Sequence, residues 1–248
     1  MEKIFVIDGG YDGLMTVVHG YYYKKWRPKD IVSRNFQRRL DAEYFLVETD
    51  TEGAKKVIAA IARKISSQAA DICLCAFLSE DPSIFFAIYN FLILGFAMGA
   101  DITYYRQNPY ALKTIDAARA VSREAERMIQ FARFTETENG AFYADISPKY
   151  NCLPLLAPHF MNRYMNMAWV IHDVKRSTAL IYDANECVLT ETPKERGVQV
   201  TPSSDERLYR DLWKSFFKAI TNEQRKNPKL QRSLLPLHYR NRMTEFKD

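Results

Sequence analysis

The chain has 248 residues, 47% of them hydrophobic and 13% aromatic, values that suit a sizeable folded core and exclude a disordered or low-complexity polymer. Its 35 Lys and Arg exceed its 30 Asp and Glu by five, a balance that favours polyanionic partners without dictating a fold. From Ser203 to Asp248 there are eleven basic and six acidic residues, so that segment alone accounts for the excess.

Four cysteines in a chain this long are no disulfide scaffold, and Asp8 and Asp12 interrupt any N-terminal signal segment. The expected setting is cytoplasmic, with reduced thiols. Cys73 and Cys75 have no second close Cys or His pair at zinc spacing, so neither a metal nor a cofactor is expected.

Lys3 to Asp8 (KIFVID) is a short apolar run with β-branched residues and predicts a strand, broken at Gly9-Gly10 before a helix from Tyr11 to about Tyr23. Strand, glycine turn and helix follow one another as in phosphate-binding loops. Neither G-x-G-x-x-G nor G-x-x-x-x-G-K-[ST] is present, however, and the bland reading is a turn needing flexible backbone. From Lys24 to Arg39, Lys24, Lys25, Arg27, Lys29, Arg34, Arg38 and Arg39 face Asp30 alone, beside Tyr21, Tyr22, Tyr23 and Trp26. Such a run suits phosphates and stacked bases, and equally a solvated loop whose aromatics pack inward.

Tyr44 to Asp50 predicts a second strand, with Thr49 or Asp50 capping a helix to about Ser66. Seventeen uncharged residues, Ile84 to Ala100, approach a membrane span of roughly 20. Asn90, two glycines and acidic flanks argue instead for a buried helix, and no membrane partner is expected. Asn108-Pro109 opens a helix whose Leu112, Ile115, Ala118, Ala125, Ile129 and Ala132 make a core face. Arg119, Arg123 and Arg127 form one line along it, available to phosphates or to ion pairs with Glu124 and Glu126. Arg127, nearest the helix exit, is the best phosphate candidate of the three.

Asn139-Gly140 signals a hairpin. A two-residue turn would place Arg133 opposite Ile146, on a face with Phe142, either paired below the surface or aimed into a cleft. His159 and Arg163, four apart, share a helix face on which a histidine could bind an oxyanion or act as a general base; His159 is the one candidate catalytic residue. AWVIHDV, TALIYD and ECVLT predict three short strands, read with the hairpin as an antiparallel meander, and Arg176 lies at the first turn. A triad of His172, Asp173 and Ser177 is rejected because neighbouring strand residues point to opposite faces.

Thr192 to Ser204 is a loop, and Ser203 with Glu206 predicts a capping box for a docking helix over 203–222, with Leu208, Leu212, Phe216 and Ile220 on one face. Arg225, Lys226, Lys229, Arg232, Arg240 and Arg242, with Pro228 and Pro236 among them, predict an extended basic arm over 223–248. The expected architecture is a single α+β domain over 1–248, an antiparallel β-meander packed with several helices, one of them nearly all apolar and buried.

Several stretches resemble a bacterial family described as probable DNA metabolism proteins, a domain of unknown function. They are YDG (Tyr11–Gly13), AFLSE (Ala76–Glu80), REAERMIQFARFTE (Arg123–Glu136), FYADISPKYNCLPLLAPHF (Phe142–Phe160), WVIHDVKR (Trp169–Arg176), LWKSFFKAI (Leu212–Ile220) and RKNPKLQRSLLPLHYRNRMTEF (Arg225–Phe246). The resemblance implies a DNA context and a radical SAM protein of DNA repair as partner; in some bacteria a similar region precedes a uracil-DNA glycosylase-like domain. This chain has no C-x-x-x-C-x-x-C motif, so the radical chemistry would not be its own. It departs from the family's C-terminal P-x-x-R-Y-W, carrying Pro236, His238, Tyr239 and Arg240.

Three functions are therefore carried forward. The first is a DNA-metabolism accessory protein binding DNA or nucleotide phosphate through Arg127, Arg133, His159, Arg163 and Arg176, with Arg225, Lys226, Lys229 and Arg232 of the arm. The second is a nucleic-acid- or nucleotide-processing enzyme using His159 with nearby arginines and Glu124 or Asp145. The third is a protein-interaction scaffold whose arm binds only its partner.

Overall fold

The computed structural model describes residues 2–34, 36, 40–192 and 201–246. Arg38 and Arg39 of the basic run, and 193–200 of the expected loop, lie outside the described residues. The fold is mixed α+β, as the sequence predicts, and its contacts fall into two compact units, Met1–Arg123 and Glu124–Asp248.

The first unit is built on a parallel sheet of three strands, ordered β2-β1-β3, from β1 (Glu2–Ile7), β2 (Asp30–Ser33) and β3 (Ala42–Leu46). Ile4, Phe5, Val6 and Ile7 of the central strand are all buried, the continuous apolar run that a strand covered on both faces requires. β2 lies inside the basic-aromatic run, where no strand was expected. Its short Ile31-Val32 core pairs with β1, and only the partner strand makes so brief a segment regular.

After β1 the chain turns at Asp8, whose Oδ1 accepts from Gly10 N at 2.8 Å and whose Oδ2 accepts from the Thr49 hydroxyl at 2.6 Å. A Cβ on Gly13 would collide with the Asp8 carboxylate. The glycine is thus needed for a close approach between the turn and α1 (Tyr11–Tyr23). Asp50 caps α2 (Thr51–Lys64), as expected, through Gly53 N at 2.9 Å. α3 (Ser67–Phe77) follows, capped by Ser66.

The apolar stretch forms α4 (Ile84–Met98), continued by a 3-10 turn (Gly99–Tyr104). The segment Ile84–Tyr104 is long and apolar enough to cross a membrane. Here it packs against α1, α2, α3 and β2, with Ile84, Ala87, Ile88, Phe91 and Leu92 buried in the unit's core. The helix α5 (Pro109–Phe131) starts where expected, with Asn108 Oδ1 accepting from Tyr110 N at 2.9 Å.

The second unit contains a five-stranded sheet ordered β4-β5-β6-β7-β8: β4 (Thr135–Glu136), β5 (Phe142–Ile146), β6 (Trp169–Asp173), β7 (Thr178–Tyr182) and β8 (Cys187–Glu191). β6, β7 and β8 form the expected antiparallel meander. The step from β5 to β6 is parallel instead, because α6 (Leu153–Arg163) carries the chain back as a crossover. The hairpin register also differs from expectation. Its loop has three residues, with Thr137 N bonded to Ala141 O and Gly140 at φ +78°, so Thr135 pairs with Tyr143 and Arg133 lies before the strand.

The C-terminal segment is helical where an extended arm was expected. It comprises α7 (Glu206–Ile220), α8 (Pro228–Leu234), α9 (Leu237–Arg240) and short 3-10 turns. Pro228 starts α8 rather than breaking it, because the first helical position has no amide bond to lose, and Asn227 caps the helix through Leu230 N at 3.0 Å. The capping box at Ser203 does not form. Glu206 turns instead to Arg210 Nε at 2.7 Å and to Glu136 N at 3.1 Å. α7 exposes its apolar stripe: Leu208, Leu212, Phe216 and Ile220 are each more than half exposed.

Candidate functional site

A groove of about 640 Å³ opens in the second unit between the end of α5, the exit of α6 and α7. Its walls include Arg133, Phe134, His159, Arg163, Tyr164 and Trp213. The local causes are simple. α6 places His159 and Arg163 one turn apart on an exposed face, while Phe160 points inward, edge-on to Phe134 and stacked parallel to Tyr164 at 6.2 Å. Tyr209 and Trp213, four apart on α7, supply the opposite wall.

Arg133 is the most constrained cation of the groove. Its Nη2 lies 2.7 Å from Glu245 Oε1 and its Nε 3.3 Å from Glu245 Oε2, while Nη1 donates to Gln130 O. The guanidinium stands over the Trp213 ring, and Trp213 Nε1 donates to the same carboxylate at 3.2 Å. Burial pulls the Glu245 pKa upward, but the Arg133 and Trp213 hydrogen bonds and the Arg133 charge hold it below the usual value. Arg210 is similarly engaged, by Glu206 and by Thr135 Oγ1 at 2.8 Å. Arg163 is different. It makes no ion pair among the described residues and only skirts the Tyr164 ring, 5.7 Å from its centroid.

The other sequence candidates are not in the groove. Arg127 lies 3.9 Å from the buried Glu124, whose two oxygens are taken by Lys149 N at 2.7 Å and the Tyr239 hydroxyl at 2.5 Å. Arg176 holds the fully buried Asp173 at 2.8 Å and bonds the carbonyls of Pro148 and Lys149, the bonding of a structural arginine. Arg225, Lys226, Lys229 and Arg232 are exposed on the C-terminal segment, away from the groove's walls. Of the nine candidates, Arg133, His159 and Arg163 converge.

Catalytic chemistry finds little support in this geometry. His159 touches Phe160 edge-on and has no carboxylate partner among the described residues, so nothing orients it as a base. Asp145 pairs with Arg242 in a separate depression, and Glu124 is enclosed by its own partners. His172 is a satisfied core histidine between the Tyr143 hydroxyl at 2.9 Å and Thr192 Oγ1 at 3.0 Å. Burial, with Glu124 and Asp173, pushes the Cys152 thiol up to about 12, the opposite of an activated nucleophile. No group of three or more His, Cys, Asp or Glu among the described residues could hold a metal ion.

The model of a family described as a domain of unknown function, DUF4130, matches residues 82–245. The chain belongs to this family. The matched segment contains every residue of the groove, whereas β1 through α3 precede it. No curated protein matches the chain.

The sequence missed the aromatic and acidic members of the site: Phe134, Tyr164, Tyr209, Trp213 and Glu245. The one available signal was the pairing of Tyr209 with Trp213, next to the regular leucines of α7, which marks a second aromatic stripe on that helix.

Proposed function

We propose that this chain is a DNA-metabolism accessory protein that holds nucleic-acid phosphate and unpaired bases in the groove bounded by Arg133, His159 and Arg163. The observation carrying this reading is Arg163, without an ion pair among the described residues and four residues from exposed His159, in a groove walled by aromatic rings. Cations that neutralise phosphate beside faces on which bases stack are what a sequence-tolerant single-strand site needs. Arg133, fixed by Glu245, serves as a rigid wall against the Trp213 ring rather than as the primary phosphate ligand. The exposed cations Arg225, Lys226, Lys229 and Arg232 extend the field that attracts a polyanion. In this proposal the bare apolar stripe of α7 docks the partner that the family resemblance implies, a radical SAM protein.

The test is fluorescence anisotropy of a labelled single-stranded oligonucleotide at several salt concentrations. Binding that weakens steeply with salt, and weakens further in Arg163→Glu, supports the groove. Absence of binding to single- and double-stranded DNA at low salt overturns it.

A further inference from the structure

We propose that the first unit carries a second, independent site, for an aromatic anion of nucleoside-phosphate size, in the cleft bounded by α1, α2 and α4. The cleft has a volume of about 470 Å³, within the range of small-molecule pockets. Its floor and one wall are aromatic: Tyr22, edge-on to Phe96 with centroids 5.6 Å apart, and Tyr23, stacked on His19 at 4.3 Å. Tyr23 is 75% exposed, although it is large, apolar and held by its neighbour. A ring pinned in place yet open to solvent on its other face is a ready stacking surface.

The opposite wall is cationic. Lys56, Ala60 and Lys64 recur every four residues on α2, so they form one line, the two lysine backbone positions about 12 Å apart along the helix axis. The small Ala60 between them, with Ala97 facing from α4, leaves the space that the cleft occupies. Among the described residues neither lysine forms an ion pair and no carboxylate lines the cleft. Asp50 caps α2 through Gly53 N, lies 3.9 Å from His19, and its pKa is also held down by the charge of Lys56, while Glu52 of the same helix pairs with Lys55. Flexible lysine stems can converge on one anionic group above Ala60 while a planar ring lies on Tyr23.

Neighbouring cations of the basic-aromatic run are engaged elsewhere and do not supply this site. Arg27 sits over Tyr21 at 3.6 Å and bonds its carbonyl, and Lys24 lies over Trp26. The site therefore arises from two lysines far from that run, brought to its exposed tyrosines by the packing of α2 beside α1.

The experiment is ligand-observed NMR and calorimetry on the full chain with adenosine 5′-monophosphate, with inorganic phosphate and adenosine as controls. The nucleotide is expected to bind more tightly than either control. Tyr23→Ala should weaken it at least about fivefold, and the double variant Lys56→Glu with Lys64→Glu at least about tenfold. All three positions are solvent-exposed, and circular dichroism checks that the variants fold. Arg163→Glu should leave this binding unchanged, which separates the cleft from the groove of the second unit. A 5′-phosphorylated oligonucleotide that competes with the nucleotide would identify a strand end as the source, and failure to compete a free nucleotide. No binding at millimolar nucleotide, or binding indifferent to the lysine and tyrosine changes, overturns the proposal.

Discussion

The Tyr239 hydroxyl donates to the Glu124 carboxylate over 2.5 Å, joining the last described segment of the chain to a buried acid 115 residues earlier. Glu124 is 4% exposed and Tyr239 6%. A carboxylate so enclosed is tolerable only because both oxygens are satisfied, one by this phenol and one by Lys149 N. Burial and the adjacent Glu124 charge in turn push the Tyr239 phenol well above its ordinary value, so it remains a donor throughout the accessible pH range.

Tyr239→Phe should accordingly lower unfolding free energy by about 1–3 kcal/mol, the usual consequence of stranding a buried polar group. Chemical denaturation at neutral pH reads this directly. A loss under about 0.5 kcal/mol would mean that water or Arg127 replaces the phenol.

Glu245 gives the structure an acid-sensitive link. Its folded pKa lies below the ordinary 4.5, so its stabilising contribution is present above that value and is lost as pH falls through the folded one. Glu245→Gln should flatten this part of the acid limb of the stability profile. It should also alter the Trp213 fluorescence, because the indole loses its carboxylate acceptor.

His172 acts at higher pH. Burial, opposed by the Asp173 charge, lowers its folded pKa beneath the ordinary 6.5. The unfolded chain therefore binds the proton more readily, and stability should fall as pH drops below about 6.5, levelling beneath the folded value. His172→Gln should remove that slope in urea melts between about pH 7.5 and pH 5.

Arg163→Glu should weaken nucleic-acid binding at low salt and make the log–log salt slope shallower by about one unit, the signature of one lost phosphate contact. Arg176→Gln should instead cost stability, because it strands the buried Asp173, and should leave the salt slope unchanged.

Leu212→Asp and Phe216→Asp lie on the exposed face of α7 and should change stability by less than about 0.5 kcal/mol. If that face docks a protein, co-purification of the partner should fall in both variants while nucleic-acid affinity stays near normal.

Local features of the fold were legible, and distant partners were not. Asp50 as a cap, the start of α5 at Pro109 and the shared face of His159 and Arg163 all follow from spacings of a few residues. Arg133 shows the limit. Adding one residue to the hairpin loop moves it out of the strand register, and its true partner, Glu245, lies 112 residues away, where no periodicity connects the two. The C-terminal segment reads as an extended arm when Pro228 and Pro236 are weighed as breakers, although Asn227-Pro228 is the same cap-and-proline pair as Asn108-Pro109. Pro228 at the first position of α8 is among the better helix initiators. The parallel pairing of β5 and β6 was hidden for a related reason, since a helical crossover and a meander begin from the same short strands.

The turn after β1 has a chemical consequence of its own. Many strand–glycine–helix junctions keep an empty seat for a visiting anion, but here Asp8 is a permanent tenant, bound to Gly10 N and Thr49, and its charge repels newcomers. This junction is therefore closed to phosphate from within: its one carboxylate fills the position that an incoming anion would take.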